Sequence, residues 1–375
     1  MNNHDYIIDC DIHPTFGKHD YARLAQRYLP KAWQAYAIEY GQNVVSHSIG
    51  SHFPRIHPNS ARFDAWPPNG DVPGSDYDFM KLQHFDRWKT KYCIINPLTL
   101  LVHPRNYGFA NAVAHALNEW VIETWLAKDD HLRSSISIAY EDPTASVREI
   151  ERYSGDPRFV SICFVTRTFE PLGNSKYWPI YEICESKGLP FGIHFGGYSG
   201  WPLTGAGFPS YYIEDHCGMA QSMQAHVISM VMEGVFERFP KLQVVLLEGG
   251  MMWLPSLMWR LDRCWRAMRS EVPHLKEPPS FYIRRNVWLT TQPIEEPKKL
   301  SSWKTFVEQL NMPGRIMYAS DYPHWDFDSP EKIEEIFTVV GRDFARDILG
   351  ANAERLYRFE AGKPLRTGTE AVVQS

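Results

Sequence analysis

The sequence predicts a closed barrel of eight parallel strands that alternate with helices, a (β/α)8 barrel with one long insertion after its first strand. Three observations predict it. Eight short, apolar and β-branched segments recur along the 375 residues, and segments with helical periodicity or helix-start signals separate consecutive ones. This alternation is typical of a parallel sheet, and a chain of this length can close such a sheet as a single domain.

The strand segments are short, as expected for strands covered on one face by helices. They are residues 6–12, 91–97, 134–140, 159–165, 190–195, 242–248, 286–291 and 315–320. Among the segments between them, residues 108–128 repeat apolar residues three and four apart, which predicts an amphipathic helix. The segment "DPTASVREIERYS" has proline near its first turn, and "YWPIYEICESKG" ends on Gly188, as helices commonly do.

One interruption of the pattern, residues 14–80, contains a helix-like piece followed by a stretch rich in proline, glycine and aspartate. A separate N-terminal domain would leave the first strand without its barrel. We therefore expect an insertion that covers the barrel mouth, within a single domain of residues 1–360, followed by a C-terminal tail of residues 361–375.

Charge and composition exclude several classes of function. The net charge of −5 gives no broad basic field for nucleic acid or an anionic membrane. The sequence has no apolar span of 18 residues and no signal-like N-terminus. Its six cysteines form no CxxC pair, which indicates reduced thiols. We expect a cytoplasmic protein whose partners are a small-molecule substrate and other copies of the chain.

Polar residues stand at the ends of strands that otherwise should pack a core. In "YIIDCDIHPTFG", Asp9, Asp11 and His13 alternate along the first strand, so we expect them on one side of it. Three further charged or polar residues end the fifth, sixth and eighth strands: His194, Glu248 and Asp321. Because the carboxyl ends of barrel strands meet at one face, Asp11 and His13 are expected to join these three in a ring at the mouth.

This ring offers two imidazoles and three carboxylates, a set that suits a divalent ion such as Zn²⁺, Mn²⁺ or Fe²⁺. We expect one metal ion, and two are compatible with the same donors. The candidate ligands are Asp11, His13, His194, Glu248 and Asp321.

Roles for individual residues follow from their chemistry. Asp321 is the candidate general base beside a metal-bound water, the alternative being a helix or turn cap. Glu248 is a metal ligand, an acid–base group, or a salt-bridge partner of Arg167 at the end of the fourth strand. Arg167 instead suits a substrate carboxylate through its paired donors. His324 is a candidate for binding substrate or a second metal, or is structural.

Four motifs resemble the amidohydrolase superfamily, and more narrowly its amidohydrolase-related branch, which includes aromatic-acid and aminocarboxymuconate-semialdehyde decarboxylases. They span about residues 5 to 357 and are "DCDIHP", "GIHFGG", "FPKLQVVLLEGGMMWLPSLMWRLD" and "YASDYPHWD". The resemblance implies a TIM barrel, suggests a dimer, and implies one divalent metal held by the residues at the matching positions, Asp11, His13, His194 and Asp321.

The sequence departs from that family pattern at two positions. The first-strand pair is often His-x-His, whereas this chain has Asp11 first; the added negative charge favours harder metals. Decarboxylases of the branch typically carry a histidine near the end of the sixth strand, where this chain has Glu248.

The leading expectation is a metal-dependent hydrolase that uses a metal-activated water on an amide, ester, lactone or thioester bond of a small, partly hydrophobic or aromatic substrate. The first alternative is a non-oxidative decarboxylase of an aromatic or enol carboxylic acid. The second is an iron-dependent oxygenase, with one or two irons, on the same barrel.

Overall fold

A computed structural model shows one sheet of eight parallel strands in which each strand pairs with the next along the chain, in the order β1 to β8. The structure describes residues 6–17, 20–40, 60–98, 106–196, 202–357 and 359. The strands are β1 Ile7–Ile12, β2 Thr90–Ile95, β3 Leu132–Ser137, β4 Phe159–Val165, β5 Phe191–His194, β6 Val244–Leu247, β7 Val287–Thr290 and β8 Ile316–Met317. All eight predicted strand segments are therefore confirmed.

Hydrogen bonds between β1 and the residues after β8 close this sheet into a barrel. The Cys10 amide donates to the Tyr318 carbonyl at 3.0 Å, and the His13 amide donates to the Tyr322 carbonyl at 2.8 Å. In the other direction, the Asp321 amide donates to the Asp11 carbonyl at 3.0 Å. The segment carrying Asp321 thus lies beside the end of β1.

Helices lie between the strands, as the periodicity predicts. Within the described ranges they are α1 Asp20–Tyr28, α2 Lys31–Tyr40, α3 Tyr77–Met80, α4 Asp86–Trp88, α5 Tyr107–Val121, α6 Pro143–Tyr153, α7 Trp178–Lys187, α8 Tyr212–Cys217, α9 Met219–Met232, α10 Val235–Arg238, α11 Leu254–Ala267, α12 Pro279–Asn286, α13 Ser302–Leu310, α14 Pro330–Thr338, α15 Arg342–Arg346 and α16 Asn352–Tyr357. Three π-helical turns follow α3, α5 and α15: Lys81–Phe85, Ile122–Leu126 and Asp347–Ala351. Short 3₁₀ turns are Phe63–Ala65, Ser175–Tyr177 and Arg269–Glu271.

Local sequence explains where several of these helices begin and end. The Asp142 side chain accepts from the Ala145 amide at the start of α6, whose first residue is proline. Helix α7 ends at Gly188, which has φ 66°, a left-handed conformation that glycine adopts without steric cost. The single helical piece expected in the insertion is two helices, α1 and α2, because Pro30 between them cannot continue the first.

Aromatic residues fill the layer between the sheet and the helices. All seven residues of β4 are buried. The Phe164 ring lies 4.6 Å from the Tyr140 ring and 4.4 Å from the Phe191 ring, and Tyr181 packs edge-on against Phe191. Each fully buried aromatic side chain contributes roughly 2–3 kcal/mol. This packing fixes the strands whose ends carry the polar residues.

Part of the predicted insertion packs against the loop that follows β8. The Trp325 amide donates to the Ser60 carbonyl at 2.7 Å, and the Arg62 amide donates to the Pro323 carbonyl at 2.9 Å. The Thr15 amide donates to the Gly74 carbonyl at 2.8 Å. Residues 41–59 and the tail 361–375 lie outside the described residues, so the capped single-domain organisation stays a prediction.

All six cysteines are free, and four of them are buried: Cys10, Cys93, Cys163 and Cys184. Every helix in the described ranges is too short or too polar to cross a membrane.

Candidate metal centre

Four of the five predicted ligands meet at the carboxyl ends of β1, β5 and β8. Each is buried, and one ligand atom from each lies within 4.8 Å of the other three. They are Asp11, His13, His194 and Asp321. The closed barrel therefore brings these residues together at its mouth, as their positions at the strand ends predict.

Backbone carbonyls set the orientation of both imidazole rings. His13 Nδ1 lies 2.9 Å from the carbonyl oxygen of Asn96, and His194 Nδ1 contacts the carbonyl oxygen of Phe195. A carbonyl only accepts, so each Nδ1 must donate. Each Nε2 is then the nitrogen that faces the cluster, which is the arrangement of a metal-binding histidine oriented by an outer hydrogen bond.

Both Nε2 atoms face carboxylate oxygens. His13 Nε2 lies 2.7 Å from Asp321 Oδ1, and His194 Nε2 lies 3.0 Å from Asp11 Oδ2. The Asn96 side chain donates from Nδ2 to Asp11 Oδ1 at 2.8 Å and holds that carboxylate in place. When Nδ1 carries the only ring proton, two acceptors face one another, and a positive charge is needed between them. The donor set therefore fits a divalent cation.

The pKa shifts of His13 and Asp321 also indicate that positive charge stabilises the cluster. Burial would lower the pKa of His13, but Asp11 and Asp321 outweigh it and raise the pKa to about 9. Burial would raise the pKa of Asp321, but His324 and His13 outweigh it and hold the pKa below its ordinary range. In the metal-free protein, a proton on imidazole supplies the cation that these carboxylates require.

Two of the acidic residues adopt a backbone conformation that side chains rarely take. Glu248, directly after β6, has φ 53°, and Asp321, after β8, has φ 62°. Left-handed backbone costs roughly 1–2 kcal/mol for a residue with a side chain. Such strain clusters at functional sites, where the surrounding structure holds it in place.

Glu248, the fifth predicted ligand, lies beside the four-residue cluster rather than within it. Its Oε2 is 3.4 Å from His194 Nδ1. Glu248 belongs instead to two other groups of three residues that could bind a metal ion. One group is Glu248 with His216 and Asp326, and the other is Glu248 with Asp321 and His324. Burial raises the pKa of Glu248 well above its ordinary value, and the nearby carboxylates of Asp321, Asp326 and Asp11 raise it further.

His324 lies over the cluster on the side of the barrel mouth. Its Nδ1 is 2.7 Å from Asp321 Oδ1, and its ring stacks on the His13 ring with 4.6 Å between centroids. Its side chain is 17% exposed, whereas that of Asp321 is fully buried. His324 thus connects the buried carboxylate to the mouth.

Arg167 pairs with an acid that the sequence analysis did not single out. Its Nη2 donates to both carboxylate oxygens of Asp215, at 2.7 and 2.9 Å, and its guanidinium lies 5.6 Å from the Phe195 ring centroid. Of the alternatives for Glu248, the salt bridge to Arg167 is therefore wrong for the described residues, because helix α8 places Asp215 next to the guanidinium. A role of Arg167 in substrate binding stays a prediction.

Asp9 does not join the residues two and four positions beyond it. Its Oδ2 is 2.7 Å from Nε2 of the buried His84, and its Oδ1 accepts from the amides of Asp11 and Ser320 at 3.2 and 3.0 Å. The pairing of β1 with β2 is irregular between Asp9 and Ile12, so simple alternation does not hold there.

Four polar residues of the site were not predicted from the sequence. They are Asn96, His216, Gln292 and Asp326. Asn96 and Gln292 follow β2 and β7, so the strand-end rule that predicts the candidate ligands could also have predicted these two residues. Asp326 lies within the quoted eighth-strand motif. His216 lies on helix α8 and gives no such signal.

Aromatic rings line the mouth beside His216. The rings of Trp325, Tyr212 and Phe195 lie 5.1, 5.6 and 6.3 Å from the His216 ring. Trp325 is 48% exposed, and its Nε1 donates to the Tyr212 hydroxyl at 3.3 Å. We call these three aromatic side chains the aromatic wall and the buried four-residue cluster beside it the charged floor of the site.

Comparison with known proteins places this geometry in a family. The family model described as amidohydrolase matches residues 8–359. Gamma-resorcylate decarboxylase from Polaromonas sp. is 23% identical over 267 residues, which is 66% of this chain and 77% of that protein.

Solved structures show the same fold. The structure of 5-carboxyvanillate decarboxylase from Sphingomonas paucimobilis has a TM-score of 0.67 and 21% identity, covering 94% of this chain and 99% of that one. Dihydroxybenzoic acid decarboxylase from Polaromonas sp., with bound manganese and the inhibitor 2-nitroresorcinol, has a TM-score of 0.66 and 18% identity, covering 95% and 98%.

Proposed function

Since the chain belongs to the amidohydrolase family, we propose that it is a divalent-metal-dependent decarboxylase of phenolic aromatic carboxylic acids. The observation that carries the proposal is the buried set of two imidazoles and two carboxylates within 4.8 Å, at the barrel mouth beside an aromatic wall. The named relatives that decarboxylate aromatic acids support the choice of reaction.

The residues that would hold the metal are Asp11, His13, His194 and Asp321. When bound, a divalent cation supplies positive charge that holds and polarises the carboxylate and phenol oxygens of a substrate. Mn²⁺ is the ion we favour, because carboxylate-rich donor sets suit it and the Polaromonas decarboxylase structure contains it.

Loss of CO₂ leaves an electron pair on the ring carbon, and one proton must reach that carbon. The pair of His324 and Asp321 suits this task, because His324 Nδ1 contacts Asp321 Oδ1 at 2.7 Å and His324 reaches toward the mouth. The Asp321 carboxylate orients the His324 ring, and His324 acts as the general acid that delivers the proton to the ring carbon. Asp321 then serves both as metal ligand and as orienting partner, rather than as base for a water.

The aromatic wall suits the ring of such a substrate. Trp325, Tyr212 and Phe195 offer ring faces and edges next to the charged floor. Aromatic pairs are worth roughly 0.5–1.5 kcal/mol beyond the area they bury. A planar phenolic acid would bind with its ring against this wall and its carboxylate toward the metal.

Hydrolysis, the leading expectation from sequence, has less support than decarboxylation, because the named relatives decarboxylate aromatic acids. The same buried centre is chemically able to activate water, so the test includes hydrolysis substrates. Iron-dependent oxygenation stays a prediction that metal analysis and an oxygen requirement address.

The test is CO₂ release by Mn²⁺-loaded protein from 2,6-dihydroxybenzoate, 5-carboxyvanillate and related phenolic acids, followed by chromatography of the phenol product. A parallel panel of amides, esters, lactones and thioesters measures hydrolysis. We expect release of CO₂ from at least one phenolic acid without oxygen, and its loss in His194→Asn. His115→Asn is the matched control, because His115 bonds to Glu149 and Tyr153 and belongs to none of the ligand sets.

Hydrolysis of a panel member without any CO₂ release would contradict the proposal. Activity that requires oxygen and iron would instead favour the iron-dependent oxygenase.

A further inference from the structure

We propose that the barrel mouth contains a second divalent-cation site, formed by His216, Glu248 and Asp326 and adjacent to the first. One ligand atom from each of the three residues lies within 4.8 Å of the other two. They come from three separate elements, namely α8, the end of β6 and the loop after β8. The four-residue set of the first site shares none of them.

His216 gives the observation that points to a ligand. Its residue is 8% exposed, and its Nε2 is buried without a hydrogen-bond partner in the described part of the chain. That nitrogen nevertheless lies 3.0 Å from Asp326 Oδ2. A nitrogen and a carboxylate oxygen this close, without the angle of a hydrogen bond, are arranged as two ligands of one ion.

The structure holds this histidine in position. Asp215, the residue before His216, receives both bonds from Arg167 at the end of β4. This ion pair ties the short helix α8 to the barrel. Arg167 is thus a positioning residue for His216, which explains why a guanidinium lies so close to the mouth without pairing with Glu248.

Gln292 connects the two sites. Its Nε2 donates to Asp321 Oδ2 at 3.0 Å and to Asp326 Oδ2 at 2.9 Å. One amide therefore orients a carboxylate from each ligand set, as outer hydrogen bonds do around metal centres. Glu248 Oε2, 3.4 Å from His194 Nδ1, brings the sets together on the other side.

Formal charge favours two cations over one. The mouth contains four closely spaced carboxylates: Asp11, Glu248, Asp321 and Asp326. Acidic groups this close repel one another in a largely buried site unless cations lie between them. An ion at the first site lies among Asp11 and Asp321, and a second ion bound by Glu248 and Asp326 relieves the repulsion that remains.

The overlapping set of Glu248, Asp321 and His324 suits a second ion less well. It shares Asp321 with the first site, whereas the set of His216, Glu248 and Asp326 shares no residue with that site. In addition, His216 Nε2 is buried and makes no hydrogen bond within the described ranges. The second ion is therefore assigned to His216.

One imidazole and two carboxylates suit Mn²⁺ or Fe²⁺, hard or borderline ions that accept oxygen donors. Two such ions in one site would stabilise two oxygens of one substrate at once. The site goes beyond the proposed function, because a two-metal centre is compatible with decarboxylation, hydrolysis or oxygenation.

The test is a titration of metal-free full-length protein with MnCl₂, with bound manganese measured by mass spectrometry and by electron paramagnetic resonance. We expect about two equivalents and the signal of an exchange-coupled Mn(II) pair. His216→Asn and Asp326→Asn should each bind about one equivalent and give an uncoupled signal, because the first ligand set is intact. His115→Asn, on α5, should behave as the wild type.

Saturation of the wild type at one equivalent, or a coupled pair that persists in His216→Asn and Asp326→Asn, would overturn the proposal. If both variants fail to fold by circular dichroism, the stoichiometry and coupling of the wild type decide alone. The outcome is separate from the proposed function: one equivalent with CO₂ release removes the second site only, and two equivalents without CO₂ release remove the decarboxylase only.

Discussion

Asp321 is the residue at which the contacts of the site converge. Its carboxylate contacts His13 and His324, each at 2.7 Å, and accepts from Gln292 at 3.0 Å. It is fully buried, and its backbone is left-handed. Three fixed neighbours and a strained backbone indicate a side chain whose exact direction matters.

Asp321→Asn should weaken Mn²⁺ binding by about 10–100-fold and lower kcat by at least about 100-fold, because an amide carries no ligand charge and no longer orients His324 as the carboxylate does. Calorimetric metal titration and CO₂ release check the two effects. Asp343→Asn, at a fully exposed side chain, is the control. Full activity in Asp321→Asn would contradict both roles.

His324→Asn separates proton transfer from metal binding. His324 lies outside the four-residue set, so the variant should retain the first metal ion while kcat falls about 100-fold or more. The measurements are manganese content and the rate of CO₂ release at saturating substrate. Loss of metal together with activity would show that His324 supports the centre rather than the proton.

At this scale the sequence predicts which residues lie together better than it predicts what each residue does. Asp11, His13, His194 and Asp321 were found because a parallel barrel brings all strand ends together. Asp9 was expected only on the same side of the strand as Asp11 and His13, and the strand pairing is irregular beyond it. His216 could not be found, because a histidine on a helix has no strand-end position to mark it.

At the scale of elements, the strand ends carry the four clustered residues, and helix α8 adds His216 beside them. Strand bounds were predicted closely, since β-branched apolar runs give strong local signals. The helical segment from α3 to α4 was missed, because it follows a stretch rich in proline and glycine and is anchored by tertiary contacts. Among those contacts, Tyr77 and Lys81 both donate to Asp129, at 2.5 and 3.2 Å.

The Asp129 contact makes stability depend on pH. Burial would raise the pKa of Asp129, but bonds from Tyr77, His131 and Lys81 lower it from 3.8 to about 2. Because the pKa of Asp129 is lower in the folded state, its ionised carboxylate stabilises the fold at pH values above the unfolded-state pKa. This stabilisation is lost as the pH falls from about 3.8 toward 2.

Asp129→Asn should therefore lower the free energy of unfolding at pH 7 by about 1 kcal/mol, after allowance for solvent screening. The difference from wild type should shrink below pH 4. Urea unfolding between pH 7 and pH 3 measures it, with the adjacent, exposed Asp130→Asn as control. A difference independent of pH would refute the electrostatic cause.

At the scale of the whole molecule, the barrel gathers four carboxylates at one end. Sequence predicted the architecture because alternation and length leave few alternatives. It did not predict the second ligand set, which depends on how α8 folds back over the mouth. The oligomeric state and the cytoplasmic location stay predictions.

Removal of metal should destabilise the entire barrel. Without cations, the clustered carboxylates repel one another, and the folded state loses the free energy of metal binding, about 2.7 kcal/mol at an ion concentration 100 times Kd. Scanning calorimetry should show Tm lowered by about 5 °C or more after chelation and restored by MnCl₂. His194→Asn should show a smaller response to Mn²⁺.

We propose that a metal ion bound at the barrel mouth is required for decarboxylation of the substrate. The most direct measurement is the rate of CO₂ release from phenolic acids by chelated protein across a titration with MnCl₂. We expect no release from the metal-free protein and a rate that rises with bound manganese until the metal site is full. Release that is unaffected by chelation, or no release from any phenolic acid at full metal occupancy, would contradict it.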